Sequence, residues 1–218
     1  LGNFNAAVDM LENAVSVFKK MANHYPNDAS LFYMSANIHM QQSYLLSYLS
    51  NKQPAYKKAQ QATNAINNAR LQDPKNKEFQ LAYYEFLAHQ LILSTEKNVE
   101  RHVLEINKFQ KNQNFSKEPT INTQLSLIQH FIDRQLPLKA QELLIALEND
   151  KDYQQYIDNK AKSGDNLKFT NLTLYKAKLA ENTVQQEQFC LNALRAITQT
   201  VKINQSIHVT HPLVQAYT

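Results

Sequence analysis

Glycine is almost missing from this chain: Gly2 and Gly164 are the only two among 218 residues, where average usage would give about 15. Sheet proteins and nucleotide-binding α/β folds spend glycine on φ > 0 turns and on close backbone approach to phosphate, whereas helical hairpins need far less of it. Two glycines 162 positions apart supply neither a phosphate-cradling loop nor a nucleophile elbow. The scarcity therefore points to an all-α fold. Tryptophan is absent, and the single Cys190 permits no intrachain disulfide, so cysteine assigns neither a cytoplasmic nor a periplasmic location. No stretch approaches the ~20 apolar residues needed to span a bilayer, and the N-terminus lacks a basic-then-apolar signal pattern, so no membrane contact is expected within this segment. The net charge of +4 is dispersed, without a run of five basic residues. No nucleic-acid stripe is expected from it.

What the chain does contain is helical rhythm. Hydrophobic residues make up 43% and charged residues 19%, which places it outside the composition of disordered proteins. Phe4, Ala7, Val8, Leu11, Ala14, Val15, Phe18, Met21, Ala22 and Tyr25 follow a three-then-four spacing that predicts a first helix. Pro26 ends it, and Asn27 and Asp28 can cap a second helix carrying Leu31, Met34, Ile38, Leu45 and Leu49 on its apolar face. Pro54 sits near the start of a third, with Ala55, Ala59, Ala62, Ile66 and Ala69 in line. A fourth runs through Phe79, Ala82, Tyr83, Phe86 and Ile92, and a fifth through Val99, Val103, Ile106 and Phe109.

Residues 112–117 read as a loop. Ile121, Leu125, Ile128 and Ile132 predict a sixth helix, and Pro137 opens a seventh with Ala140, Leu143, Leu144 and Leu147. A short helix around Tyr153 to Ala161 and a turn at Gly164 follow. The last pair carries Leu172, Tyr175 and Leu179, then Leu191, Leu194 and Val201, with Thr183 and Gln186 at capping-box spacing.

The joints between helix pairs fall at Pro26, Pro74, Pro119, the Asp165 turn and Pro212, which are 48, 45, 46 and 47 residues apart. A near-constant period in this range signals an array in which each unit buries its face against its neighbours. One domain over 1–218 is expected, with a half repeat at 1–26 and units at 27–74, 75–119, 120–165 and 166–211. Both ends fall inside expected helix pairs, which suggests a piece cut from a larger protein.

Gly2, Phe4, Ala7, Leu11 and Ala14 resemble the second half of a tetratricopeptide repeat, with Pro26 in the place of its closing proline after a longer helix. Tyr56 with Ala59, and Ala140 with Leu144, match more loosely, so the motif covers the first ~75 residues while the architecture covers most of the chain. The period exceeds the standard 34 residues and overlaps that of HEAT and armadillo repeats. The resemblance implies a right-handed α-α superhelix of about nine or ten helices. Long-helix arrays of this kind are similar to repeat regions of bacterial signalling proteins, including serine/threonine kinases and winged-helix regulators. It implies a non-catalytic interaction, sensory or scaffold role, with a peptide or protein segment held in the concave groove. The alternative is a domain that senses a small ligand such as a glycan or cell-wall fragment.

No catalytic residue, cofactor or metal site is expected. His208 and His211 are close in sequence but lack two further zinc ligands. Cys190 has no local nucleophile signature and reads as a structural thiol. Glu148, Asp150 and Asp152 read as solvated charge in a polar turn. One constellation rises above this background: Tyr33, Asn37, Gln41, Tyr44 and Tyr48 recur every three or four residues along the second helix. Tyrosines and amides offer contact area and hydrogen bonds together, and the resemblance places this stripe in the groove, with Glu85 and His89 of the fourth helix continuing it.

Overall fold

The computed structural model describes residues 3–94, 102–106, 117–162 and 166–204, and every regular element among them is a helix. The chain divides into two compact units, Leu1–Ser116 and Lys117–Thr218, whose boundary lies beside the joint expected at Pro119. No helix among the described residues is long and apolar enough to cross a membrane. Gly2, Gly164, Val99, Phe109, the Asp165 turn, His208, His211 and Pro212 lie outside the described residues, as do 112–116 of the expected loop.

The first unit contains α1 (Phe4–His24), α2 (Ala29–Tyr48), α3 (Lys52–Gln72), α4 (Lys77–Leu93) and a short α5 at 102–106. Its joints repeat in atomic detail. In Tyr25-Pro26-Asn27-Asp28 the Asp28 N–H donates to the Tyr25 carbonyl at 3.2 Å, and in Asp73-Pro74-Lys75-Asn76 the Asn76 N–H donates to Asp73 at the same 3.2 Å. Proline at the second position suits such a turn because its φ is already fixed. Asp28 then accepts from the Ser30 and Leu31 amides, and Asn76 from those of Glu78 and Phe79. Each cap thus satisfies donors that a helix start leaves unpaired.

Along α3, Ala55, Ala59, Ala62, Ile66 and Ala69 are all 0% exposed, as their spacing predicts. Ala62, Ile66 and Ala69 pack with Ala36 and Met40 of α2 and Phe79, Ala82 and Phe86 of α4 into one core. The expected face of α2 is corrected: Met34 is 48% exposed and Ile38, Leu45 and Leu49 are only half-buried, while Ala36, His39, Met40, Gln42 and Ser43 are buried beside Leu31. Because α2 packs against both α1 and α3, close approach favours small and hydrogen-bonded residues over the bulky apolar stripe. Glu12 of α1 shows the same economy, taking Gln42 of α2 at 2.7 Å and Lys58 of α3 at 2.6 Å on one oxygen. Those two bonds hold the Glu12 carboxyl below its ordinary range, Lys58 contributing most. Met21 of α1 and Tyr25 just after it face solvent.

The second unit contains α6 (Lys117–Asp133), α7 (Pro137–Glu148), α8 (Lys151–Lys162), α9 (Leu167–Leu179) and α10 (Thr183–Asn204). Ile121, Leu125, Leu127, Ile128 and Phe131 of α6 are buried, as are Ala140, Leu144 and Leu147 of α7. Asp150 accepts from the Asp152 and Tyr153 amides, so it is an α8 cap and not idle charge. Two expectations fail in α10. Leu191 is 48% exposed and Leu194 half-buried, and the buried face is Ala193, Ala196, Ile197 and Thr200. The capping residue is Asn182, whose side chain accepts from the Gln185 amide at 2.9 Å, because its carbonyl already accepts from Gln186 and fixes the start one residue earlier than Thr183.

Two turns that ordinarily recruit glycine use other residues. Ser50 has φ 61° and Gln135 φ 57°, each closing a helix by a six-to-one bond: Asn51 N–H to the Leu46 carbonyl at 2.9 Å, and Leu136 N–H to Phe131 at 2.8 Å. A side chain in this left-handed region costs about 1–2 kcal/mol. Replacing Ser50 or Gln135 by glycine is therefore expected to stabilise its unit by about 0.5–1 kcal/mol after the larger entropy of the unfolded glycine is offset. Conversely, Ala59→Leu overfills the α3 seam and is expected to cost about 1–3 kcal/mol, while Val17→Leu on exposed α1 stays within about 0.5 kcal/mol. Urea unfolding followed by far-UV circular dichroism ranks all four variants.

Candidate functional site

The stripe expected on α2 meets α4, two helices further along the chain. Tyr33 donates its hydroxyl to Glu78 at 2.6 Å across 45 residues, and Ser43 meets His89 at 3.0 Å across 46. Nearly equal separations mean that α2 and α4 run in the same direction, with α3 returning between them. The Tyr33 ring packs against Phe79 with centroids 5.0 Å apart, and the Tyr44 ring against His89 at 4.3 Å. Asn37 lies one turn on from Tyr33 and acts to lower its phenol, against the larger effect of burial.

Glu85 lies between these two contacts, one turn before His89. It is half-buried, and burial raises its carboxyl above the ordinary range. Among the described residues Glu85 makes no hydrogen bond or ion pair; its charge falls instead on the phenols of Tyr33, Tyr44 and Tyr84. Burial pushes the Tyr33 and Tyr44 phenols up; for Tyr33 the bond to Glu78 adds to it ahead of a smaller push from Glu85, and for Tyr44 Glu85 adds to it alone. Both therefore remain protonated donors at neutral pH. Gln41 is exposed, Tyr44 is 46% exposed and Tyr48 73% exposed. The structure thus gathers Tyr33, Asn37, Tyr44, Glu85 and His89 into one face and leaves Gln41 and Tyr48 along its exposed margin.

Ser43 and His89 have the residue types of a nucleophile and its base, but their geometry assigns another role. Ser43 is 0% exposed, and its hydroxyl proton goes to the Ala55 carbonyl at 2.8 Å. Its lone pair then accepts the Nε2 proton of a neutral His89, which burial holds down to about 4. The pair fastens α2 to α3 and α4; a buried hydroxyl committed to a carbonyl is not placed to attack a substrate. Among the described residues, no cluster of three histidine, cysteine or acidic side chains is arranged to hold a metal, and Cys190 is a half-buried free thiol.

Two cavities escaped sequence reasoning. One, of about 300 Å³, lies on the other side of α4, where Tyr56, Thr63, Asn64, Tyr83, Gln90 and His102 line a space between α3, α4 and α5. Its signal was present as a polar run on α3, Tyr56, Gln60, Thr63, Asn64 and Asn67, which flanks the alanine face at helical spacing. The other, of about 520 Å³, lies within the second unit among α8, α9 and α10, where Ile157, Leu172 and Ala196 provide apolar walls and Lys176 pairs with Glu148.

The half-buried, neutral His89 sets a pH dependence. Its folded pKa lies below the unfolded value near 6.5, so its contribution is complete above pH 6.5 and is lost as pH falls towards about 4. Glu85, raised by burial, acts in the opposite sense and is relieved as it protonates. His89→Gln keeps a donor for Ser43 and removes the histidine contribution. Thermal melts between pH 7 and 4.5 should then show an acid-dependent loss that is smaller in the variant by about 2–3 kcal/mol, the remainder coming from His39 and His130, which burial lowers in the same way.

No family model matches this chain, and neither a curated protein nor a solved structure matches it, so the α2/α4 face and the two cavities are read from their own geometry.

Proposed function

We propose that the chain is a non-catalytic binding module, acting in interaction, sensing or scaffolding, whose α2/α4 face holds a peptide or protein segment carrying a lysine or arginine. Glu85 carries this reading. A half-buried carboxylate without a pairing group is unfavourable on its own, and a cationic side chain entering between Tyr33 and Tyr44 would compensate it and gain the ring faces as well. Glu78, held by Tyr33, adds a second negative charge to the same face, although the whole chain is net positive. The exposed Tyr44 and Tyr48 supply contact area with few rotatable bonds. The resemblance to tetratricopeptide arrays, whose first helices line a groove, favours the same face, and by that resemblance the module would serve a signalling protein. The small-ligand reading draws its support from the α3/α4 cavity instead.

Fluorescence anisotropy with labelled peptides of alternating apolar and lysine residues, against the same peptides with glutamate in place of lysine, tests the proposal. The lysine series should bind and the glutamate series should not. Glu85→Gln should weaken binding roughly tenfold or more, the range for a charge-assisted hydrogen bond, and Tyr44→Ala should weaken it as well. Unchanged binding in both variants overturns the site. Salt-sensitive retention of RNA by the wild type would move the reading to nucleic acid.

A further inference from the structure

We infer that the cavity between α3, α4 and α5 is a second binding site, independent of the α2/α4 face, for a small uncharged polyhydroxylated ligand of the saccharide class. Its volume of about 300 Å³ is at the lower end of the range for small-molecule sites, about 300–1,000 Å³. Gln90 is the reason to read it as a site. It is only 6% exposed, it lines the cavity, and its side-chain amide has no hydrogen-bond partner among the described residues. An amide so enclosed and open only to the cavity takes its hydrogen bonds from what enters it, so a polar group arriving there meets a donor and an acceptor.

The remaining lining specifies the chemistry. Thr63, 7% exposed, spends its proton on the Ala59 carbonyl at 3.0 Å and keeps lone pairs for an incoming donor. Asn67 accepts from Arg70 at 2.7 Å, which leaves its NH₂ group to donate. Asn64 adds a further amide at the exposed rim. Amides and hydroxyls that offer both donors and acceptors match ligand hydroxyls, which are themselves both. Tyr56, Tyr83 and Leu87 supply apolar surface for the C–H faces of a sugar ring. No lysine or arginine is among the described lining residues, and Glu105 sets a carboxylate there against an anionic ligand; the nearby Arg70 lies over the Tyr83 ring, 4.5 Å from its centroid. A phosphorylated or carboxylated ligand would find no counter-charge there.

Saturation-transfer difference NMR on the whole chain, with glucose, N-acetylglucosamine and maltose as probes and glucose 6-phosphate as anionic comparator, tests this inference. At least one neutral sugar should receive saturation, and glucose 6-phosphate should receive less. Gln90→Leu should weaken the titrated affinity roughly tenfold. Asn64→Ala, which alters only the exposed rim and cannot perturb the core, should weaken it severalfold, and Val17→Ala on α1 should leave it unchanged. No transfer to any neutral sugar, equal or tighter binding of the phosphate, or unaltered affinity in folded Gln90→Leu and Asn64→Ala would each overturn the assignment.

Discussion

The close approach of α2 and α4 to the alanine spine of α3 is the constraint on which the first unit depends. Ala55, Ala59, Ala62 and Ala69, with Ile66 between them, are fully buried at alternating spacings of four and three. Absent side chains let neighbouring backbones come near. The consequence is visible at Ala55, whose carbonyl is reached by the Ser43 hydroxyl at 2.8 Å. A larger residue in this seam would push α2 outward and break that bond. The Ser43 to His89 bond and the Tyr44 to His89 ring contact follow from the same approach, so the geometry of the candidate face is set by methyl groups on a helix that contributes no residue to it.

Proline and asparagine or aspartate serve this chain where many proteins use glycine. The Pro26 and Pro74 joints each turn the chain with a 3.2 Å bond and hand it to an Asp or Asn cap. Ser50 and Gln135 accept left-handed backbone because the six-to-one bond and the following helix demand it. In the second unit, Lys168 of α9 bonds Asn122 of α6 across 46 residues, and Lys178 reaches Gln129 at 3.4 Å across 49. There α7 and α8 fill the interval that α3 alone fills in the first unit.

How legible each feature was in the sequence follows from how many sides of it are buried. The α3 face could be read directly, because a helix with one small-residue stripe announces it through spacing, and the proline joints were equally plain. On α2 the reading failed: Met34 and Leu45 look like core, but a helix packed by neighbours on two sides buries Ala36, Ser43 and Gln42 for closeness and hydrogen bonding instead. Leu191 misled in the same way, since the small Ala193 and Ala196 pack there. The polar-aromatic stripe was visible as a pattern, yet its meeting with Glu85 and His89 depends on helix alignment across 45 or so residues, which no local spacing encodes. The α3/α4 cavity escaped because its polar lining resembles any solvated helix face until α5 closes over it.

At about 100° per residue, α4 distributes three tasks around its circumference. Glu78, Glu85 and His89 lie within a narrow arc facing α2; Phe79, Ala82 and Phe86 lie next to them in the core; Tyr83, Leu87 and Gln90 lie roughly opposite the first group, at the cavity. The core residues between the two polar arcs are nearly inaccessible and closely packed, so a side chain on one arc has no void through which to rearrange towards the other. Any coupling between the proposed peptide face and the proposed saccharide cavity would therefore have to move α4 as a whole. Its proline-and-asparagine start and the Ser43 to His89 bond near its end oppose that motion, which favours two sites that fill independently.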